Sequence, residues 1–281
     1  DTTNPTISQL NINLASLSQA GDRYYFTSNI SSISMTLSDN LAGVNYAANL
    51  TKLMLYDAQG NLLIGSRSVA GNKVTWTLTT PIQITTPTDY TITALVTDNA
   101  GNIRNQSTVF TLLTPQAPAI TSHTPANSSI TKTLANNKIS KTITDTNGFG
   151  LDADNTSITL TKGTTTYANG QNAVQTLTQN INGTYELSLT LTDPLATDGS
   201  VDGVYTVTTT VTDLLNQSVT NNQTTFTYDT KAPVFADAKI SGIHPQNGVW
   251  EETLTDNTLY DNYIKMVKIK VSDLSSQVNV N

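Results

Sequence analysis

The chain contains no cysteine in 281 residues. That excludes a disulfide framework and any thiolate metal site. Glutamate is almost missing as well. Of 21 acidic residues only Glu186, Glu251 and Glu252 are Glu, and the other eighteen are Asp. Asp belongs in turns and caps, whereas Glu, Lys and Arg clothe the solvent face of helices. Charged residues make up 12% of the chain, against roughly 25% in an ordinary soluble domain, so long surface helices are hard to build. No run of eighteen apolar residues is present, so no stretch reads as a membrane-spanning helix. A net charge of −7 argues against nucleic-acid phosphate as a partner. The sequence opens at Asp1 without Met or a recognisable signal peptide, as expected of a mature or excised segment.

What fills the chain instead is Thr, Ser and Asn in alternation with aliphatic residues. Ile33, Met35 and Leu37 alternate with Ser34, Thr36 and Ser38, and Val74, Trp76 and Leu78 alternate with threonines. Period-two patterning of this kind predicts half-buried strands. Asp57-Ala58-Gln59-Gly60-Asn61 reads as a turn returning into Leu62 to Ser66, a hairpin. About seven short strands with regular turn signals predict an all-β sandwich.

The organising feature is a segment that occurs twice, from Tyr90 to Ile120 and from Tyr205 to Phe235. Tyr90 and Tyr205, Asp98 and Asp213, and Pro118 and Pro233 are each separated by 115 residues. Each copy reads as strand, acidic turn, strand and an Ala-Pro junction. The spacing predicts one domain per repeat: residues 1–115, residues 116–230, and a partial third repeat over 231–281. Pro5, Pro118 and Pro233 each stand at a strand start, where a missing N–H costs no ladder bond. The third repeat supplies about two strands, with Val267, Ile269 and Val271 leading to Ser272-Asp273. Two strands are marginal alone. Either the chain stops part-way through a longer array, or a strand from another chain completes the sheet and makes this a filament subunit.

Asp98-Asn99-Ala100-Gly101-Asn102 and Tyr228-Asp229-Thr230-Lys231-Ala232-Pro233 resemble the bacterial immunoglobulin-like repeats of large surface proteins and adhesins. Asp39 with Ala42-Gly43-Val44 resembles that family's loop after its second strand. The copies diverge, since Asp213-Leu214-Leu215-Asn216 lacks the Gly and Thr114-Pro115-Gln116 replaces D-T-K. The resemblance implies tandem immunoglobulin-like β-sandwich domains, secretion or display at the bacterial cell surface, and often calcium at domain junctions. It implies a structural or adhesive, non-enzymatic role in which a rod of domains spaces or presents a binding region. The expected partners are a host or neighbouring-cell surface protein or glycan, or copies of the chain itself.

Calcium takes about six to eight oxygen ligands, largely from Asp and backbone carbonyls. In an immunoglobulin-type sandwich, Asp145, Asp152, Asp154 and Asp213 are expected together at one pole of the second repeat, facing Asp89 of the first. Asp229 and Asp273 are expected near Asp193, Asp198 and Asp202. Crowded like charges repel, and a divalent cation would relieve that. The alternative is that each Asp caps its own turn, with Lys231 neutralising part of the second cluster.

Other constellations carry less. His123 and His244 precede prolines in different repeats and read as exposed loop residues. Trp76 reads as core, and Trp250, followed by Glu251 and Glu252, is less clearly buried; stacking on a glycan or a neighbouring domain is the alternative, which would make the chain a glycan- or protein-binding module. Lys52, in an apolar strand, is a candidate for a Lys–Asn cross-link. No paired carboxylates at glycosidase spacing and no G-x-S-x-G elbow point to catalysis.

Overall fold

The computed structural model describes residues 1–244, 248–253 and 264–272, with side chains placed at 1–233 and 268–271. Among these residues there is no α-helix, and strands carry the structure. It divides into two compact units. The first comprises residues 1–119 together with 145–152 and 211–219. The second comprises 120–144, 153–210 and 220–281.

In the first unit, strands β1 (Thr6–Ile12), β2 (Ala15–Ser16), β5 (Ile30–Ser38), β7 (Gly65–Ala70) and β8 (Lys73–Ile82) form a sheet in the order β2-β1-β5-β8-β7. Strands β3 (Ser18–Ala20), β4 (Arg23–Phe26), β6 (Lys52–Tyr56), β9 (Thr88–Thr97) and β10 (Ile103–Leu112) form the other, in the order β3-β4-β10-β9-β6. Pairing is antiparallel throughout both sheets except where β4 runs parallel to β10. This is the immunoglobulin strand distribution, with the N-terminal strand divided between the two sheets. The alternation read from sequence is what closes it. Ile33, Met35 and Leu37 of β5 are buried against Leu53 and Leu55 of β6, Ile92 and Val96 of β9, and Phe110 and Leu112 of β10. Burying one such side chain contributes about 1.5–3 kcal/mol.

One expected hairpin is only half present. Tyr56 bridges Leu62 and Leu63 N–H donates to Leu55 O, so the turn at 57–61 forms. The chain then leaves β6, and β7 pairs with β8 in the opposite sheet. A two-residue contact satisfies the turn, and β7 then supplies the ladder hydrogen bonds along the edge of β8, from Gly65 opposite Leu78 to Ala70 opposite Lys73. Gly65 permits the crossing. A Cβ there would lie 2.5 Å from Thr77 O and 2.6 Å from the Trp76 ring nitrogen.

A second sandwich repeats the order of the central strands. Strands β11 (Ala119–Thr124), β13 (Lys138–Thr144), β16 (Ala173–Gln179) and β17 (Tyr185–Leu191) give β11-β13-β17-β16. Strands β12 (Ser129–Thr131), β14 (Ser157–Lys162), β15 (Thr165–Tyr167), β18 (Gly203–Thr212) and β19 (Ser218–Tyr228) give β12-β19-β18-β14-β15, with β12 parallel to β19. Tyr205, fully buried near the start of β18, stacks on Phe226 at 5.4 Å and donates its hydroxyl to Val201 O at 2.9 Å. That is the tyrosine corner of immunoglobulin-type sandwiches. The chain is thus an all-β protein built of immunoglobulin-like sandwiches.

Strands β20 (Val234–His244), β21 (Gly248–Thr253) and β22 (Ile264–Ser272) form a further sheet, β21-β20-β22. The sequence suggested two strands here, and β21 is the one it did not show. Its residues Gly248-Val249-Trp250-Glu251-Glu252-Thr253 do not alternate cleanly. Trp250 lies on this strand opposite Gly242, and His244 ends β20; their side chains lie outside those described, as does Asp273 altogether.

Candidate metal centre

Among the described residues, one group of three acidic or histidine side chains brings its ligand atoms within 4.8 Å of one another: Asp1, Asp39 and Asp98. Two of the three follow strands. Asp39 comes directly after β5 and Asp98 directly after β9, so neighbouring strand ends deliver both carboxylates to one pole of the first sandwich. The two loops are zipped together. Val44 bridges Asp98, Asn99 N–H donates to Gly43 O at 2.9 Å, and the Asn99 amide donates to Ala42 O at 2.9 Å. Gly43 and Gly101 sit at φ of 75° and 91°, which the tight turns demand.

Each carboxylate is partly satisfied by backbone. Asp39 Oδ2 accepts from Gly43 N–H at 2.8 Å and Leu41 N–H at 3.2 Å. Asp1 accepts from Thr3 and Ala42 N–H, and its own carbonyl accepts the Asn102 amide. Asp98 accepts both the backbone N–H and the side-chain amide of Asn102, at 2.8 and 2.7 Å. Burial pushes its carboxyl upward, but these bonds outweigh that and hold it below the ordinary carboxylate range. Asp39 Oδ1, however, is buried with no hydrogen-bond partner. No Lys or Arg forms an ion pair with the three among the described residues. An all-oxygen donor set with an orphaned buried carboxylate oxygen suits a hard cation such as calcium.

The residues expected to hold calcium are placed differently. Asp145 accepts from Asn147 and Gly150 N–H, and the fully buried Asp213 accepts from Leu215 and Gln217 N–H. Between these loops stands the Asn147 amide. It donates to Gln116 O at 2.6 Å and to Asp213 at 3.4 Å. Asp89 accepts from the Thr111 hydroxyl at 2.6 Å. In the second unit Asp202 caps the linker, accepting from Thr230 N–H and hydroxyl and from Lys231 N–H. Asp198 is held below the ordinary range by Ser200's side chain and backbone, helped by the charge of Lys231. Asp229 N–H donates to Thr131 O. Among the described residues neither expected group gathers its carboxylates as Asp1, Asp39 and Asp98 do, and Asp273 of the second group lies outside them. Asp152, Asp154 and Asp193 do not enter such a group among the described residues.

Asp1 is the member of this group that the repeat pattern had not singled out. A signal was present: Asp1-Thr2-Thr3-Asn4-Pro5 has the D-T-x-x-P spacing of Asp229-Thr230-Lys231-Ala232-Pro233. At the matching place, four residues before Pro118, stands Thr114. The second copy therefore has a threonine where the first has its third carboxylate. His123, expected in an exposed loop, is instead a half-buried residue of β11 whose Nδ1 lies 2.6 Å from Lys141 Nζ.

No protein-family model matches the chain, and no curated protein matches it by sequence. Solved structures do. A tetra-tandem repeat from the extending region of a large adhesion protein matches at 18% identity with a TM-score of 0.37, over 85% of this chain and 61% of that one. Fibronectin(III)-like modules of Clostridium thermocellum CbhA match at 14% identity and TM-score 0.29, over 78% and 93%. The N-terminal part of the bacterial S-layer protein SbsC matches at 14% and 0.26, over 78% and 44%. Likenesses this distant do not reach function, and the sandwich rests on the chain's own strand order.

Proposed function

We propose that this chain is a structural segment of an extracellular bacterial repeat protein of the immunoglobulin-like adhesin type. Its sandwiches space or present a binding region elsewhere. The observation that carries this is the duplication itself: the orders β1-β5-β8-β7 and β4-β10-β9-β6 recur as β11-β13-β17-β16 and β12-β19-β18-β14, each copy beginning directly after a proline. Repeats that each build a sandwich around a buried core suit a load-bearing array. Calcium is the ion proposed at Asp1, Asp39 and Asp98, where it would neutralise the converging carboxylates and take up the free Asp39 oxygen.

Single-molecule stretching of the whole chain tests the mechanical role. The expected trace has at least two unfolding peaks, each releasing a sandwich-sized length at about 3.6 Å per residue. A featureless trace would overturn it. For the ion, melting with calcium against EDTA is the readout. A rise in the melting temperature that Asp39→Asn abolishes supports calcium, and superimposable curves count against it.

A strand partner is a second use, favoured by the three-stranded sheet formed by β20, β21 and β22. It predicts self-assembly that disappears when residues 233–281 are deleted, and a chain that stays monomeric at all concentrations would oppose it.

A further inference from the structure

The core of the second sandwich contains a lysine. Lys141 is 1% exposed and shares the inward face of β13 with Ile139 and Ile143. Its Nζ crosses to the opposite sheet and donates to the buried Thr224 hydroxyl of β19 at 2.6 Å. On its own side it meets His123 Nδ1 at 2.6 Å. The Thr224 hydroxyl in turn donates to Asn221 Oδ1 at 3.1 Å. The first sandwich has nothing like this. Met35 stands four residues before Asp39 as Lys141 does before Asp145, and Leu10 stands five after Pro5 as His123 does after Pro118. Leu10 and Met35 are paired in register, an apolar contact in the same place.

We propose that His123, Lys141 and Thr224 form a one-proton switch in the core, which loosens the second sandwich as the medium turns acid. At neutral pH one proton suffices: the ammonium of Lys141 donates to neutral His123 and to Thr224. A second proton, on His123, sets two cations against each other at hydrogen-bond distance. Among the described residues, the packed strands offer no unpaired acid to absorb it. Strand β17 carries Glu186, which is bonded to Lys138. Strand β14 carries Lys162, over the Tyr205 ring. Strands β18 and β19 present Tyr205, Tyr228 and Thr224 inward, and β16 has no charged residue.

The titration directions agree with the geometry. Burial brings Lys141 down to about 8, and burial followed by the Lys141 charge lowers His123. Both groups hold protons less readily folded than unfolded, so stability rises with pH. It falls as the medium drops below the ordinary histidine value of 6.5, and it rises between about 8 and 10.5.

The test is made on the full chain. Amide hydrogen exchange, corrected for intrinsic rates, is followed at about pH 7 and about pH 5. Protection in β13 and β17 should fall about tenfold while β5 and β8 hold. The variant Lys141→Met/His123→Leu, which installs the residues of the first sandwich, should remove that difference. Retention of the wild-type response in the variant overturns the switch. Should the variant fail to fold, the His123 ring in the wild type decides by nuclear magnetic resonance. A midpoint below 6.5 with loss of β13 protection supports it, and an ordinary midpoint overturns it.

Discussion

The guanidinium of Arg23 lies 4.1 Å from the centroid of the Phe149 ring and donates to Gly148 O at 2.8 Å. Phe149 also meets Tyr25 edge-on at 5.7 Å and is buried with Ala20, Leu113 and Leu215. This apolar cluster belongs to the first compact unit, although Phe149 stands far along the chain from the rest of that unit. Phe149→Ala should cost about 2–4 kcal/mol in chemical denaturation. Arg23→Ala should cost about 1 kcal/mol, the size of a stacked cation on an aromatic face. A Phe149→Ala variant as stable as the parent would mean that this loop does not contribute to folding.

Asp98 and Asp213 occupy one repeat position yet are shifted in opposite directions. Asn102, four residues on, gives Asp98 a backbone and a side-chain donor. At the second turn the same place is Gln217, whose amide is turned to Leu215 O instead. Burial therefore dominates at Asp213 and raises its carboxyl, with the neighbouring Asp145 charge adding to the rise. Ionised Asp98 stabilises the fold above the ordinary value of 3.8, and that contribution is lost as pH falls through its lower folded value. Ionised Asp213 does the reverse, and acid relieves its cost. Carbon-detected titration should place the two on opposite sides of 3.8, and Gln217→Asn should bring Asp213 down. Coincident midpoints would refute this account.

Gly65 is required by space and not by φ. A Cβ there meets Thr77 O and the Trp76 ring below any normal contact distance. Gly65→Ala should lower stability by about 1–3 kcal/mol through forced displacement of β7 from β8. Gly71→Ala is the contrasting control: its Cβ meets nothing within 4 Å, so any loss there comes from its φ of 58°. Melting curves of the two variants that show Gly65→Ala harmless would show that the crossing is not tight.

Tyr205→Phe removes one hydroxyl and leaves the ring stacked on Phe226. The Val201 carbonyl loses its donor, and the cost should be about 1 kcal/mol in urea unfolding. Tyr205→Ala should cost several times more, because it also empties a fully buried ring position. Equal losses in the two variants would assign the whole effect to the hydrogen bond.

The strands, the duplication and the proline at each copy's start were legible because period-two patterning and turn chemistry are local. Alternation of the kind seen in β5 is read without a partner: Ile33, Met35 and Leu37 declare their inward face in the sequence itself. The acidic turns at Asp98 and Asp213 were legible for the same reason. Which carboxylates meet was not. Asp1, Asp39 and Asp98 are up to 97 residues apart, and only the placement of β5 beside β1, and the bridge from Val44 to Asp98, brings them to one pole. Nor does spacing reveal that β7 leaves β6 for β8, or that Lys141 points inward. Lys141 fits the alternation of β13, but a charged residue at an inward position reads as surface until Thr224 and His123 are found facing it. Local sequence determines whether a segment becomes a strand and where it turns. The pairing of sheets across a common core decides which distant side chains share a site, because that depends on contacts far apart in the chain.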